Sequence, residues 1–157
     1  MKLKIYLETS IISYLTAMPS RDIILAAHQQ ITREWWETRR TEYELFISQL
    51  VIQESSSGDP EAVKKRLAIL NPLALLDLNS DVLALARKLL ENQLLPNTAT
   101  EDAMHIAIAT SHQMDYLLTW NCRHIANPVI QRKITKWAHL KDYELPTICT
   151  PIEFSEV

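Results

Sequence analysis

Three acids and one amide stand where they could act together on a substrate. Glu8 directly follows the first predicted strand, and Glu54 lies in the first turn or so of the helix after the second. Asp102 lies in the first turn of a later helix, and Asn121 follows the strand into which that helix leads. In an open parallel sheet, functional residues collect at the carboxyl ends of the strands, so these side chains are expected to meet there.

The chemistry that this set favours is metal-dependent hydrolysis. Carboxylates that are forced together repel one another and favour protonation unless a cation joins them. Oxygen ligands, with no cysteine and no obligatory histidine, suit Mg²⁺ or Mn²⁺. Such an ion positions and activates a water and stabilises charge at a phosphoryl group. We therefore predict Glu8, Glu54 and Asp102 as metal ligands, with Asn121 completing the catalytic set for phosphodiester hydrolysis.

Several of these acids also have structural interpretations. Glu101 and Asp102 could complement a helix dipole. The spacing Thr98-x-x-Glu101 fits a capping box, which gives Glu101 a structural role and leaves Asp102 free. Glu54 could face water, as helix acids usually do. Asp115 stands at the amino end of its strand and is interpreted as a turn or cap residue.

The elements that must position these residues alternate between strands and helices. Strands are predicted at residues 3–7, 44–48, 73–78 and 116–119, with a short fifth at 147–148. Helices are predicted at residues 11–15, 21–40, 49–57, 60–70, 100–112 and 128–140, and another is capped by Ser80. Such alternation predicts an α/β fold in which a central parallel sheet of four to five strands is flanked by helices.

Composition narrows the class of protein. With 157 residues, of which 47% are hydrophobic and 22% charged, the chain has the size and composition of a single globular domain over residues 1–157. Gly58 is its one glycine, so glycine-rich phosphate loops and dinucleotide folds are excluded. Cys122 and Cys149 lack metal-ligand or disulfide-scaffold spacing, and no apolar run reaches membrane-spanning length. A cytoplasmic protein is expected.

The net charge of −3 shows no overall basic field for a nucleic acid. Arg33, Arg39 and Arg40 could supply a local basic patch instead. Arg123, just past the fourth strand, is a candidate contact for a phosphate backbone or an ordinary exposed arginine. His105, one turn beyond Asp102, could touch substrate phosphate, order the acid by hydrogen bonding, or be a satisfied buried histidine.

The motifs around these positions resemble those of a PIN domain. They are Glu8-Thr9-Ser10, Glu54, Asp102-Ala-Met-His-Ile-Ala and Leu118-Thr-Trp-Asn-Cys-Arg-His-Ile-Ala-Asn127. The sequence is similar to the VapC-like toxins of bacterial type II toxin–antitoxin pairs from Lys4 to about Pro151. No single motif is decisive, but four in the same order are fairly specific.

The resemblance implies a three-layer PIN-like fold and a Mg²⁺- or Mn²⁺-dependent endoribonuclease acting on RNA. It also implies a homodimer and a cognate antitoxin that covers the site. By position, Glu8, Glu54 and Asp102 take the places of the family's three defining acids. Ser10 takes the place of the hydroxyl that supports the first acid, and Asn121 that of a fourth, more variable acid.

Two departures from the family pattern leave alternative functions open. Glu8 is one methylene longer than the usual aspartate, and Asn121 is a neutral amide. Three carboxylates in place of four should bind a metal ion more weakly. The alternatives are a catalytically weak PIN scaffold that binds RNA or a protein partner, and a structure-specific DNA nuclease.

Overall fold

A central sheet of five parallel strands organises the computed structural model, which describes residues 1–154. The strands are β1 (Lys4–Leu7), β2 (Glu44–Ser48), β3 (Ala74–Leu76), β4 (Tyr116–Leu118) and β5 (Thr147–Cys149). They lie in the order β3-β2-β1-β4-β5, and every neighbouring pair is parallel. The predicted parallel α/β sheet is confirmed, including its fifth strand.

The helices cover both faces of this sheet and make three layers. Those in the described residues are α1 (Thr9–Thr16), α2 (Ile23–Arg39), α3 (Gln49–Ser55), α4 (Pro60–Leu70), α5 (Ser80–Glu91), α6 (Thr100–Ser111) and α7 (Pro128–Leu140). Right-handed crossovers place α1 to α4 on one face and α5 to α7 on the other. Contacts of α1 with α2, α3 and α4, and of α5 with α6, agree with this division.

The two middle strands bring the candidate residues together. β1 and β4 are in register with Leu7 opposite Leu118, so both strands end at the same level. The Glu8 backbone N–H donates to the carbonyl of Leu118 at 3.1 Å, which continues the ladder one residue further. Leu7 and Leu118 are completely buried, as strands covered on both faces require.

Helix capping differs from the prediction at two helices. The side chain of Asn79 caps α5 by accepting from Val82 N, so Ser80 is the first helical residue and not the cap. At α6 the cap position falls on Ala99, whose side chain cannot accept a hydrogen bond. The capping box of Thr98 and Glu101 was therefore wrong, although α6 starts at Thr100 as predicted.

Glu54 also lies elsewhere in its helix than predicted. The helix α3 has only seven residues and Glu54 is the sixth, in the last turn and not the first. Ser48 caps the other end by accepting from Val51 N. Because α3 is short, its last turn still lies close to the carboxyl edge of the sheet.

The structural interpretation of Asp115 is confirmed. Asp115 accepts a hydrogen bond from Lys4 N at 2.8 Å and ties the starts of β4 and β1 together. Trp35 is a core residue that is 4% exposed, and Trp36 packs against the core beside it.

Over residues 1–154, no helix combines the length and the apolar character needed to cross a membrane.

Candidate active site

The predicted site residues form two adjoining groups at the carboxyl ends of β1 and β4. Glu8, Glu54 and His105 each offer a ligand atom, and these atoms lie within 4.8 Å of one another. Asp102 lies outside that cluster and is paired with Asn121 and a neighbouring histidine. The structure thus brings Glu8 and Glu54 together and brings Asp102 and Asn121 together.

Glu8 is held at one of its two carboxylate oxygens. The residue caps α1 and is only 6% exposed. Its Oε1 accepts from the backbone N–H and the hydroxyl of Ser10 and from the hydroxyl of Thr119 at 2.6 Å. No hydrogen bond reaches Oε2 from the residues that the structure describes. The supporting role expected for Ser10 agrees with this geometry.

Ser10 and Thr119 also fix the loop that follows β4. The Ser10 hydroxyl accepts from Trp120 N at 2.8 Å, and the Thr119 hydroxyl accepts from Asn121 N at 2.9 Å. Each hydroxyl therefore donates to the Glu8 carboxylate and accepts from the loop backbone. Any displacement of Glu8 consequently disturbs the position of Asn121.

Glu54 is held in the same one-sided way. Its Oε1 accepts from the Thr9 hydroxyl at 2.6 Å and from His105 Nε2 at 2.7 Å. Burial alone would raise the pKa of Glu54, but the hydrogen bonds from His105 and Thr9 outweigh it and hold the pKa below its usual value. Glu54 is therefore a carboxylate at neutral pH, and its Oε2 receives no hydrogen bond within residues 1–154.

A buried chain of hydrogen bonds leads to Glu54 from the start of its own helix. The His105 Nδ1 lies 2.8 Å from the Tyr6 hydroxyl, which lies 2.8 Å from Ser48 Oγ. One direction of donation uses every hydrogen: Val51 N–H to Ser48, Ser48 to Tyr6, Tyr6 to His105, and His105 to Glu54. Burial raises the pKa of Tyr6, which keeps its hydroxyl a donor.

This chain decides between the roles considered for His105. The side chain is 1% exposed, and both ring nitrogens have protein partners. Neither nitrogen is open to a substrate phosphate in this arrangement. The geometry fits the third role, a buried histidine with satisfied partners, and the acid that His105 contacts is Glu54 and not Asp102.

Asp102 has both oxygens engaged. Its Oδ1 accepts from Asn121 Nδ2 at 2.9 Å, and its Oδ2 lies 2.8 Å from His124 Nδ1. The Asn121 Oδ1 in turn accepts from His124 N at 3.0 Å. The loop from Asn121 to His124 is therefore built around Asp102, and the Asn121 amide holds that acid in place.

Several residues that build the site were not among the predicted site residues. They are Tyr6, Thr9, Ser48, Thr119 and His124. Two carried a usable signal: Thr119 directly follows β4 as Glu8 follows β1, and His124 closes the polar loop after that strand. Tyr6 gave none, because its place inside a buried strand is typical of a core residue.

Arg123, a candidate phosphate contact, and Trp120 lie on the loop after β4. Arg123 is exposed and makes no side-chain hydrogen bond or ion pair within the described part of the chain. Trp120 is 7% exposed, stacks with the rings of His28 and Tyr14, and donates to Thr32 Oγ1 at 2.7 Å. Trp120 is thus a packing residue and not a free platform for a base.

Residues 5–124 match the PIN domain family, a span that contains every acid of the two groups. A comparison with curated proteins found no match.

Solved structures share the fold at low sequence identity. VapBC2 from Rickettsia felis, bound to a DNA fragment from its promoter, is 18% identical over 94% of this chain and 98% of its own, with a TM-score of 0.60. VapBC-1 from nontypeable Haemophilus influenzae is 18% identical over 96% and 99%, with a TM-score of 0.59.

The toxin VapC20 of Mycobacterium tuberculosis, which cleaves the sarcin-ricin loop, is also similar. It is 15% identical over 76% of this chain and 91% of its own, with a TM-score of 0.59. At such identities these likenesses establish the shared fold.

Proposed function

The chain belongs to the PIN domain family, and on that premise we propose that it is a Mg²⁺- or Mn²⁺-dependent endoribonuclease. PIN domains are found in nucleases, and the cluster of Glu8 and Glu54 offers the oxygen donors that a divalent cation prefers. The observation that carries the proposal is the one-sided anchoring of these two acids. All the donors bind Oε1 in each, which leaves both Oε2 atoms to a cation.

The donor set fits a hard divalent cation. Oxygen atoms of Glu8 and Glu54 would hold it, with the remaining lone pairs of Asp102 completing the protein's share. The bound ion would activate a water and neutralise charge on the scissile phosphate. His105 is not a ligand in this proposal, because its Nε2 donates to Glu54.

The chain's own residues then have separate tasks. Ser10 and Thr119 orient Glu8, and His105 orients Glu54. Asn121 orients Asp102 and keeps the adjoining loop at a fixed distance from it. Arg123, exposed on that loop, is proposed to contact a phosphate of the RNA backbone.

We further propose that the protein is the toxin of a type II toxin–antitoxin pair. Two of the similar structures are VapBC proteins, and the third is described as a toxin. A cognate antitoxin, a homodimer and a cytoplasmic location belong to this proposal. Mixing the chain with the product of a neighbouring gene and measuring inhibition of cleavage tests the partner.

Cleavage of a mixed, structured RNA pool tests the nuclease itself. We expect activity with Mn²⁺ or Mg²⁺ that EDTA abolishes and that Asp102→Asn reduces by at least about 100-fold, since each acid supports the ion. The matched control is Glu101→Gln, an exposed acid one residue earlier on the same helix, which should retain full activity. Equal activity of Asp102→Asn and wild type would overturn the proposal.

A catalytically weak scaffold is the second candidate, and the geometry of Asp102 favours it. Both oxygens of that acid already have hydrogen-bond partners, and Asn121 adds no charge. Titration with Mn²⁺ separates the two candidates: a scaffold without a metal site shows no thermal stabilisation, whereas the nuclease does. Single-stranded DNA assayed beside the RNA distinguishes a DNA nuclease from a ribonuclease.

A further inference from the structure

Positive charge is concentrated in one segment beside the candidate site. Residues 122–141 contain five of the 16 lysines and arginines, whereas all 19 aspartates and glutamates lie elsewhere in the chain. These five residues are Arg123, Arg132, Lys133, Lys136 and Lys141. A chain with a net charge of −3 therefore carries a strongly basic stretch that the overall charge conceals.

Three of these cations share the outward side of α7. The buried residues of the helix are Ile130, Ile134 and Ala138, which face the sheet. Arg132, Lys133 and Lys136 are exposed on the opposite side, as helical periodicity dictates, and we call them the basic face. Within residues 1–154 no carboxylate lies within 4.0 Å of their charged groups.

The arginines predicted as a basic patch each have a partner within the fold. Arg33 donates to the carbonyl of Ala17 at 2.7 Å, and Arg39 pairs with Glu42. Arg40 donates to the carbonyl of Trp36 at 2.8 Å, and its guanidinium lies over the Trp36 ring. Of these two groups of cations, the one without hydrogen-bonded protein partners in the described residues therefore lies on α7 and not at the end of α2.

The basic face lies on the helix that directly follows the loop of the candidate site. Asn127 caps α7 by accepting from Val129 N and Ile130 N, and it donates to the carbonyls of Cys122 and Arg123. That same loop holds Asp102. The basic face, from Arg132 to Lys136, rises about 6 Å along α7 and lies further along the chain from that loop.

We propose that Arg123 and the basic face form a track for the phosphate backbone of a single-stranded RNA that enters the site. The proposal rests on the proposed nuclease function and adds a substrate path to it. Unpaired cations in a row suit a polyanion, because binding them releases counterions from the phosphates. Continuity with the Asp102 loop favours the substrate itself over a separate protein partner.

Binding to an inactive background tests the track. In Asp102→Asn, the affinity for a fluorescent 20-nucleotide single-stranded RNA is measured by anisotropy across a salt series. Adding Lys133→Glu and Lys136→Glu should weaken binding at least 10-fold. The slope of the logarithm of the affinity against the logarithm of the salt concentration should become shallower by about 0.7 for each lost phosphate contact. Adding Lys64→Glu and Lys65→Glu, exposed residues of α4, should leave affinity within about 2-fold.

A labelled dinucleotide RNA with a single phosphodiester provides the second arm, since it is too short to occupy both the site and the track. Its affinity should be nearly unchanged by the α7 substitutions. The track proposal is overturned if the α7 variant binds the 20-nucleotide RNA as tightly as Asp102→Asn does. It is also overturned if the α4 control loses as much affinity as the α7 variant. Unchanged RNA binding together with a changed oligomeric state identifies the face as a protein interface and also overturns it.

These outcomes are distinct from failure of the nuclease proposal. Suppose that Asp102→Asn abolishes a metal-dependent cleavage and that the α7 variant binds RNA as tightly as Asp102→Asn does. The nuclease proposal then stands, and the track proposal is rejected. Wild type that never cleaves speaks against the nuclease, and the anisotropy measurement still decides whether the basic face binds RNA.

Discussion

His105 Nε2 lies 2.7 Å from Glu54 Oε1, so a residue of α6 fixes an acid of α3 from the other side of the sheet. The contact is possible because Tyr6, on the strand between them, supports the far side of the imidazole. Partners of this kind set the orientation of a metal ligand and change its affinity without touching the ion.

Replacement of His105 by asparagine should weaken Mn²⁺ binding about 10-fold, because Glu54 loses its buried donor. Titration calorimetry with Mn²⁺ measures the change, and circular dichroism checks that the chain is folded. His112→Asn is the control: His112 ends the same helix and contacts the Asp77 carbonyl, away from the acids. Unchanged Mn²⁺ affinity in His105→Asn would show that Glu54 needs no positioning.

Tyr6→Phe should lower the free energy of unfolding by about 1–3 kcal/mol, since the Ser48 hydroxyl hydrogen and His105 Nδ1 each lose their buried partner. Chemical denaturation measures this loss. Tyr116→Phe is the matched control, because the Tyr116 hydroxyl makes no hydrogen bond in the described residues and its removal should cost little. Equal stabilities of the two variants would contradict the hydrogen-bond chain.

Asn121→Asp should make the protein less stable without metal and more responsive to it. The substitution replaces a donor to Asp102 with a second negative charge, so the two carboxylates repel. In EDTA, the melting temperature of the variant should fall below that of wild type by about 2–4 °C for each kcal/mol of lost stability. Mn²⁺ should raise the melting temperature of the variant by more than this difference. If Mn²⁺ does not raise the melting temperature of the variant, residue 121 lies away from the ion.

One thiol per folded chain should react with a chromogenic disulfide reagent at pH 8. Burial and the nearby charge of Glu153 raise the pKa of Cys149 to about 12, so it stays a neutral, inaccessible thiol. Cys122 is exposed, and its pKa is also raised by partial burial and by Glu153, so its reaction should accelerate as the pH rises above 9. Cys122→Ser should abolish the fast reaction; two fast thiols in wild type would contradict the buried position of Cys149.

The sequence was sufficient to predict the parallel sheet and the edge of the sheet at which the acids lie. Short apolar runs separated by helices indicate parallel strands, and Glu8 and Asn121 follow such runs directly. The turn of α3 that carries Glu54 could not be predicted, because hydrophobic periodicity does not give the exact end of a seven-residue helix.

The hydrogen-bond partners of His105 and Asp102 could not be predicted from the sequence either. His105 and Tyr6 are 99 positions apart, and their contact depends on how α6 packs against β1. The pairing of Asp102 with His124 likewise depends on the path of a loop. Patterns of neighbouring residues show which side chains share an edge, but distances between their atoms arise only from packing.

The chain of donors to Glu54 starts and finishes on α3, which has a consequence for folding. Seven residues are too few for a helix to persist alone in water, where about 12–15 are needed for marginal stability. Ser48 at its start and Glu54 near its end are connected through β1 and α6, so α3 becomes ordered only with its neighbours. A nascent or partly melted chain therefore lacks the oriented acid, and hydrolytic competence should appear together with global folding.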